Sequence, residues 1–339
     1  MKMKTILAAG AMSVAAIAAN NAHAGAMLDG IKAKGFVQCG VNTGLPGFSA
    51  ANAEGKWEGL DVDVCRAVAA ALLGDAEKVQ YTPMTAAQRF TALQSGEIDI
   101  LSRNTTWTLT RDAKLGLTFG GVNYYDGQGF LVPKALGVSH ATELDGATVC
   151  VEPGTTTELN LADYFRAKGM SFEPVVIENI NETTAAFFAG RCDVYTTDAS
   201  GLASVRQTMA PNPDDYVILP EIISKEPLGP SVAQGDDQWA DLVRWSLMAM
   251  VEAEELGVNS QNVDDMKKSE NPAIQRLLGV SPGMGEALGV DEEWAYRIVK
   301  QVGNYGESYK ANVTAKLGLE RGLNALWTDG GLQYAMPVR

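Results

Sequence analysis

Histidine and positive charge are both scarce in this sequence. The 339 residues contain two histidines, His23 and His140, so a metal site built from several imidazoles is excluded. A Ser-His-Asp triad could still use His140. The 41 acidic residues outnumber the 27 basic ones, which gives a formal net charge of −14. Because a negative field repels phosphate backbones and anionic lipids, the composition argues against nucleic acid or a membrane surface as the main partner.

The sequence also lacks an apolar run long enough to cross a membrane. The N-terminal candidate, residues 6–19, is too short for about 30 Å of hydrocarbon and follows two lysines, Lys2 and Lys4. Residues 22–24 then give the small-x-small pattern that a signal peptidase accepts. We therefore predict a signal peptide over residues 1–24, cleaved after Ala24, and export of the remaining chain.

Cysteine is rare, but the number of cysteines is informative in an exported protein. Cys39, Cys65, Cys150 and Cys192 make an even number, which favours disulfides over free thiols or metal ligation in an oxidising compartment. Three pairings are possible, and the residues alone do not choose among them. Four buried free thiols are the alternative.

The remaining composition is that of a folded protein of about two domains. Hydrophobic residues make up 46% and charged residues 20%, which excludes disorder and a membrane bundle. Apolar segments alternate with helical patterns, two of which begin at capping boxes, Thr85-x-x-Gln88 and Thr155-x-x-Glu158. The predicted strands cover residues 36–41, 98–101, 148–151, 175–177 and 193–195, and the predicted helices cover residues 60–73, 85–96, 155–169 and 184–188. This alternation predicts an α/β fold with mainly parallel sheets flanked by helices.

The two halves of the sequence share one segment. Residues 96–104 line up with residues 190–198, because each has a helix-ending glycine, an aspartate three residues later, an apolar pair and then polar residues. In open α/β sheets, ligands bind at the carboxyl ends of the strands, where these polar residues lie. Two facing sheets would present Arg103 and Asn104 opposite Thr197 and Asp198, which predicts a cleft. Chance recurrence of a helix-Gly-strand segment is the alternative.

Five segments provide a more specific comparison through their order and spacing. They are residues 59–65, 102–112, 119–130, 151–158 and 193–198. Together they resemble the extracytoplasmic solute-binding proteins of polar amino-acid ABC transporters. Within that group the sequence is most similar to the general L-amino-acid-binding proteins.

The resemblance implies a type II clamshell of two lobes joined by a two-strand hinge. The expected lobes are residues 25–130 with 231–339 (lobe 1) and residues 131–230 (lobe 2). Beyond about residue 255 the chain departs from the smaller members and has the pattern of a helical extension. This division separates the cysteines into two pairs, one in each lobe. The favoured disulfides are therefore Cys39–Cys65 and Cys150–Cys192.

The resemblance also assigns roles to residues of the predicted cleft. An amino-acid zwitterion needs a cation for its carboxylate and an anion for its ammonium, and the family pattern puts Arg111 and Asp198 in these roles. Thr106 and Thr155 would supply hydroxyl and N–H groups to the carboxylate, with the helix N-terminus at Thr155 favouring the anion. Arg103 would reach an acidic or amide side chain of the ligand. Further candidates are Asn104, Thr156 and Trp107.

Several of these residues also have a purely structural interpretation. Arg111 would otherwise be a surface residue in the first turn of a helix, and Arg103 would pair with a surface carboxylate. Asp198 and Thr155 would be helix N-caps. Trp107 would either pack in the core or form a wall of the side-chain pocket.

The function implied by the resemblance is capture of L-amino acids of broad side-chain type in the periplasm. The protein would deliver them to the membrane-embedded permease of an ABC transporter. No cofactor, metal or catalytic residue is expected, and the protein should be a monomer that binds no nucleic acid. A clamshell dehydratase or lyase acting on an amino-acid-like carboxylate is the main alternative, and it would need a carboxylic acid with a raised pKa. A sensor domain for a membrane kinase or channel is a third possibility.

Overall fold

The computed structural model describes residues 25–339, so the predicted signal peptide and its cleavage site lie outside the described residues. The strands are β1 (Val37–Asn42), β2 (Ala50–Ala51), β3 (Trp57–Glu58), β4 (Val79–Met84), β5 (Ile100–Leu101), β6 (Leu117–Phe119), β7 (Tyr124–Asp126), β8 (Gln128–Pro133), β9 (Ala147–Val151), β10 (Phe172–Val176), β11 (Val194–Asp198), β12 (Tyr216–Ile218), β13 (Glu226–Leu228) and β14 (Ser231–Ala233). The α-helices are α1 (Ala26–Lys34), α2 (Leu60–Leu73), α3 (Arg89–Ser95), α4 (Thr156–Lys168), α5 (Ile180–Phe188), α6 (Ala199–Thr208), α7 (Asp237–Glu255), α8 (Val263–Met266), α9 (Pro272–Leu277), α10 (Met284–Leu288), α11 (Trp294–Gln301), α12 (Tyr305–Tyr309) and α13 (Ala315–Leu317). Over this part of the chain, no helix is both long and apolar enough to cross a bilayer.

Two five-stranded sheets with the same arrangement form the centres of the two lobes. Their strand orders are β4-β1-β5-β14-β6 and β10-β9-β11-β8-β12. In each sheet the first three strands are parallel and the last two pairings are antiparallel. The prediction of mainly parallel sheets is therefore right for only half of the strand pairs. The reason is that β8 and β14 enter their sheets after the chain crosses from the other lobe, and they run against their neighbours.

The chain crosses between the lobes twice, and the two crossing segments pair with each other. Strand β7 is antiparallel to β13, with Tyr124 opposite Leu228 and Asp126 opposite Glu226. Strand β8 lies wholly in the second sheet, so a lobe boundary at residue 130 would fall inside a strand. We therefore propose residue 127 as the first boundary, and the second stays at residue 230, directly before β14.

Each lobe contains its own disulfide and its own buried core. Cys39 of β1 is bonded to Cys65 of α2 in lobe 1. Cys150 of β9 is bonded to Cys192, just before β11, in lobe 2. The pairing predicted from the lobe division is thus confirmed. Because the bonds close loops with sequence separations of 26 and 42 residues, the chain-entropy model gives about 3.5–4 kcal/mol of stabilisation for each.

The predicted helical extension beyond residue 255 packs on lobe 1 and also contacts the hinge. Trp294 and Tyr305 are fully buried in the lobe 1 core. The Tyr305 hydroxyl donates to the Asn123 carbonyl oxygen at 2.8 Å, directly before β7. The side chain of Asn324 accepts from the Tyr125 N–H at 2.7 Å and donates to the Tyr125 carbonyl oxygen at 3.1 Å. Asn324 therefore bonds to β7 as a neighbouring strand would.

Candidate ligand-binding cleft

A cleft with an empty volume of about 450 Å³ lies between the lobes, at the carboxyl ends of the parallel strands of both sheets. Lobe 1 supplies the lining residues Asn42, Leu45, Arg89, Arg103, Asn104 and Thr106. Lobe 2 supplies Glu152, Thr155, Thr156, Thr157, Ile180, Thr197, Asp198 and Gly201. The residues predicted from the sequence that line this cleft are Arg103, Asn104, Thr106, Thr155, Thr156 and Asp198. Two predicted residues, Arg111 and Trp107, lie outside the lining.

Arg111 lies behind the lining, in a single π-helical turn that spans Thr110–Lys114. Its side chain is 5% exposed, and Nη1 donates to the carbonyl oxygen of the lining residue Thr106 at 2.8 Å. The guanidinium also lies over the Phe90 ring, 5.0 Å from its centroid. Among the described residues, no carboxylate oxygen lies within 4.0 Å of this guanidinium. Burial lowers the pKa of Arg111 to about 10, and the carboxylates of Glu226 and Asp198 act against this shift.

Asp198 ends β11 and lines the cleft from the other lobe. It occupies the N-cap position of α6, but its side chain makes no capping hydrogen bond. Burial raises the pKa of the Asp198 carboxyl well above its usual value, and the nearby carboxylates of Asp126 and Glu226 raise it further. The N-cap interpretation therefore does not explain this residue, because the carboxylate is buried without using the capping donors.

Asn104 lines the cleft in a strained backbone conformation. Its φ of 32° is positive, and among the described residues it is the one non-glycine residue for which this is so. The Asn104 N–H donates to Asp61 Oδ2 at 2.7 Å, and its side-chain oxygen accepts from Asn42 Nδ2 at 3.1 Å. Strain of this kind persists where surrounding contacts hold it and is common in ligand sites.

Thr106 and Thr156 face each other across the cleft, and both bond to a carboxylate that sequence reasoning missed. Their hydroxyl oxygens are 3.2 Å apart, and they donate to Glu226 Oε2 at 2.6 and 2.8 Å. The other Glu226 oxygen accepts from Asn160 and Ser224, each at 2.7 Å. Glu226 begins the crossing strand β13, so one hinge carboxylate joins a hydroxyl from each lobe. No local pattern marks Glu226, because its partners are distant in sequence.

Thr155 has the capping role that its sequence pattern predicts. It is the N-cap of α4, and its side-chain oxygen accepts from the Glu158 N–H at 3.0 Å. The same hydroxyl donates to the Glu152 carbonyl oxygen at 2.8 Å. The N-terminus of α4, which is the positive end of the helix dipole, therefore faces the cleft.

Two arginines line the cleft, and the sequence analysis predicted only one of them. Arg103 is 2% exposed, its Nε donates to the Met84 carbonyl oxygen at 3.0 Å, and its Nη2 lies 3.8 Å from Glu152 Oε2. Arg89, the first residue of α3, is equally buried and was missed. The sequence does mark Arg89 as unusual, because a cation in the first turn of a helix lies unfavourably near the positive end of the helix dipole.

Trp107 lies away from the cleft on the outside of lobe 1. Its ring is 40% exposed and stacks on Phe119, with the centroids 5.3 Å apart. Its indole N–H donates to Asp112 at 2.8 Å. The structure thus gives Trp107 a packing position and removes it from the cleft lining.

A model of the bacterial extracellular solute-binding proteins, family 3, matches residues 37–262. The chain belongs to this family. The general L-amino acid-binding periplasmic protein AapJ of Rhizobium johnstonii is 58% identical over 343 residues, with both chains covered in full. The glutamate/glutamine/aspartate/asparagine-binding protein BztA of Rhodobacter capsulatus is 56% identical over 333 residues, which cover 97% of this chain and 98% of BztA.

Solved structures of this solute-binding family share the clamshell fold. A periplasmic binding protein from Brucella ovis, determined with glutathione bound, superposes with a TM-score of 0.90 at 57% identity. The superposition covers 92% of this chain and 99% of the other. The family model ends at residue 262, whereas AapJ aligns along its whole length, so the helical extension is shared with the long relatives.

Proposed function

We propose that this solute-binding protein captures L-amino acids in its interlobe cleft in the periplasm and delivers them to the membrane permease of an ABC transporter. One observation carries the proposal: a buried cation, Arg111, lies directly behind the lobe 1 lining of the cleft, and a buried anion, Asp198, lines the cleft from the opposite lobe. Among the described residues, neither is in a salt bridge. The names of AapJ and BztA, both more than half identical to this chain, support the same ligand class.

The zwitterionic end of an amino acid supplies the two charges that this arrangement needs. A buried charge without a partner costs several kcal/mol, and the cost is recovered only when an opposite charge arrives with good hydrogen bonds. A planar guanidinium can hold both oxygens of a carboxylate, which suits Arg111 to the α-carboxylate. Asp198 would then receive the α-ammonium. Because both contacts involve the part of the ligand that all amino acids share, they favour breadth.

The rest of the lining is compatible with several kinds of side chain. Amides and hydroxyls predominate, and they can donate or accept, whereas Leu45 and Ile180 supply apolar surface. We expect polar, acidic and aliphatic L-amino acids to bind. D-isomers should bind far more weakly, because exchanging two substituents at Cα moves the side chain out of its space.

A γ-glutamyl peptide is a second candidate ligand. The Brucella ovis relative holds glutathione, and its γ-glutamyl end carries the same α-carboxylate and α-ammonium groups as a free amino acid. The anchor proposed for amino acids would therefore also serve this peptide.

We propose binding without chemical conversion, by a monomer that needs no cofactor. Asp198 has the raised pKa that a general acid in a dehydratase or lyase would need, but in our proposal the ligand ammonium occupies it. The names of the close relatives describe transport-binding proteins and give the lyase alternative no support.

Calorimetric titration with the twenty amino acids, selected D-isomers and glutathione tests the proposed function. The expected result is binding of many L-amino acids with one site per chain, and recovery of each ligand unchanged. Binding of a single amino acid with the others silent would contradict the proposed breadth. Conversion of any ligand on incubation would favour the lyase.

A further inference from the structure

The loop between β1 and β2, residues 43–49, lies between the cleft, lobe 2 and the helical extension. Its Leu45 belongs to the cleft lining. From lobe 2, Ser204 Oγ of α6 donates to the Pro46 carbonyl oxygen at 2.8 Å. The position of this loop therefore affects both a wall of the cleft and a hydrogen bond between the two lobes.

The helical extension packs against loop 43–49 at Gly47. A Cβ on Gly47 would lie 2.7 Å from Leu317 Cδ1 of α13 and 3.3 Å from the Asn312 carbonyl oxygen. Gly47 also has a φ of 88°, and Leu317 is 7% exposed. The loop backbone and the Leu317 side chain are therefore in direct contact, at a distance that suits only glycine.

A row of aromatic rings makes a second connection between the loop and the extension. Phe48 is fully buried and packs edge-on against Tyr124 of β7, with the ring centroids 5.1 Å apart. Tyr124 in turn stacks on Tyr309 of α12, with the centroids 6.0 Å apart. Aromatic pairs in these geometries are favourable beyond the area that they bury. The extension thus holds the loop at two neighbouring residues, Gly47 and Phe48.

We propose that Leu317 is a positioning residue for ligand binding, which acts on the cleft through loop 43–49. By packing on Gly47, it holds the loop where Leu45 lines the cleft and where Pro46 accepts the hydrogen bond from lobe 2. The proposal rests on the proposed function, since it assumes that amino acids are bound between the closed lobes. Its consequence is that the extension raises the affinity for every ligand, although Leu317 itself does not line the cleft.

A purely structural role for Leu317 makes a different prediction. Leu317 would then stabilise lobe 1 as any other buried leucine of the extension does. Leu288 of α10 is the matched comparison, because it is 8% exposed, belongs to the same core and packs beside Trp245 and Trp294. Truncation should lower the free energy of unfolding at both positions. Positioning of the cleft loop adds a loss of affinity at Leu317 alone.

Calorimetric titration and amide hydrogen exchange of Leu317→Ala, Leu288→Ala and wild-type protein make the comparison. For Leu317→Ala, the Kd values of alanine, glutamine and glutamate should rise about five- to tenfold, the effect of losing one hydrogen bond between the closed lobes. In the ligand-free protein, the N–H groups of Leu45 and Phe48, which donate to the Ser49 and Leu45 carbonyl oxygens, should exchange faster. Leu288→Ala should leave these Kd values and exchange rates unchanged. Leu317→Val makes the same test with a smaller cavity.

Gly47→Ala tests the same contact from the loop. Its added methyl would meet the Leu317 side chain and should weaken binding. Combined with Leu317→Ala, it should cost about threefold less affinity than it does alone, because the shortened side chain leaves room for the methyl. The penalty for a positive φ is the same in both backgrounds and cancels from this comparison.

Three results would overturn the inference. They are unchanged Kd values in folded Leu317→Ala, equal changes in Leu317→Ala and Leu288→Ala, and additive effects of Gly47→Ala and Leu317→Ala on Kd. Unfolding curves establish that each variant is folded. Hydrogen exchange needs no ligand, so it tests whether Leu317 holds the loop independently of the proposed function. Failure of wild-type protein to bind any amino acid would instead overturn the proposed function.

Discussion

Asp198 is the buried cleft carboxylate that we propose as the partner of the ligand ammonium. Burial raises its pKa well above the usual value for an aspartate, and the neighbouring carboxylates Asp126 and Glu226 act in the same direction. Burial also raises the pKa of Asp126, to about 6. In the empty protein, these carboxyls therefore take up protons at a higher pH than exposed aspartates do. An arriving ammonium favours the ionised form of Asp198 and lowers its pKa again.

The affinity for neutral amino acids should consequently fall as the pH is lowered through the raised pKa of Asp198. The sign follows because a protonated Asp198 must release its proton before it can pair with the ammonium. Titrations near pH 6 in buffers with different ionisation enthalpies should show proton release on binding. A pH-independent affinity, or proton uptake, would contradict this account of Asp198.

At the scale of residues, sequence reasoning proposed the groups that belong to a motif and missed those that only the folded chain brings together. Arg111 and Asp198 came from a family pattern, and Arg89 left a weak signal as a cation at a helix start. Glu226 left none, because its four hydrogen-bond donors are brought together only by the folded hinge. For Trp107 the sequence left a pocket wall and core packing open, and the structure stacks the ring on Phe119 outside the cleft lining.

At the scale of elements, the loop before α4 brings the backbone of lobe 2 close to the backbone of lobe 1 beside the cleft. Gly154 has a φ of 73°, and a Cβ there would lie 3.3 Å from the Ala87 Cα in the other lobe. Gly169, at the other end of the same helix, has a φ of 68° with nothing within 4 Å of the corresponding position. These two glycines share a backbone conformation and differ in their surroundings.

Gly154→Ala should therefore weaken binding of every ligand about fivefold or more, because the added methyl overpacks the contact between the closed lobes. Gly169→Ala is the matched control, since it carries the same penalty for a positive φ without touching lobe 1. Calorimetric affinities and unfolding curves of both variants make the comparison. Equal affinities would contradict tight apposition of the lobes at Gly154 in the ligand-bound form.

Elements with a local signature were predictable, and those that depend on distant pairing were not. The reciprocal bonds predicted for Thr85 and Gln88 are present, with Gln88 N–H donating to Thr85 Oγ1 at 3.4 Å and Thr85 N–H donating to Gln88 Oε1 at 3.2 Å, but the helix itself begins later than predicted, at Arg89. The hinge pair β7 and β13 consists of short strands about one hundred residues apart, and no periodicity specifies their partnership. The boundary that we propose at residue 127, in place of residue 130, depends on the same pairing.

At the scale of the whole molecule, the structure has two bodies that can move around a short hinge. Each sheet has its own core and disulfide, and the lobes touch at the cleft, at the hinge and where α13 of the extension contacts α6. The extension also holds one strand of the hinge in place. The side chains of Asn324 and Tyr305 form hydrogen bonds with the backbone of β7 and of the residue before it. The sequence predicted the helices of this extension but not that it would hold the hinge, since side-chain bonds to a distant backbone leave no pattern.

The central claim is that Arg111 anchors the α-carboxylate of every ligand, and calorimetric titration of Arg111→Met tests it most directly. Removing one partner of a buried charge pair costs about 2–5 kcal/mol, which predicts a roughly 30- to several-thousand-fold loss of affinity. The loss should be similar for alanine, glutamine and glutamate, because all three share the carboxylate. Arg191→Met is the control for removal of one arginine. Binding by folded Arg111→Met within about threefold of wild type would place the carboxylate anchor elsewhere.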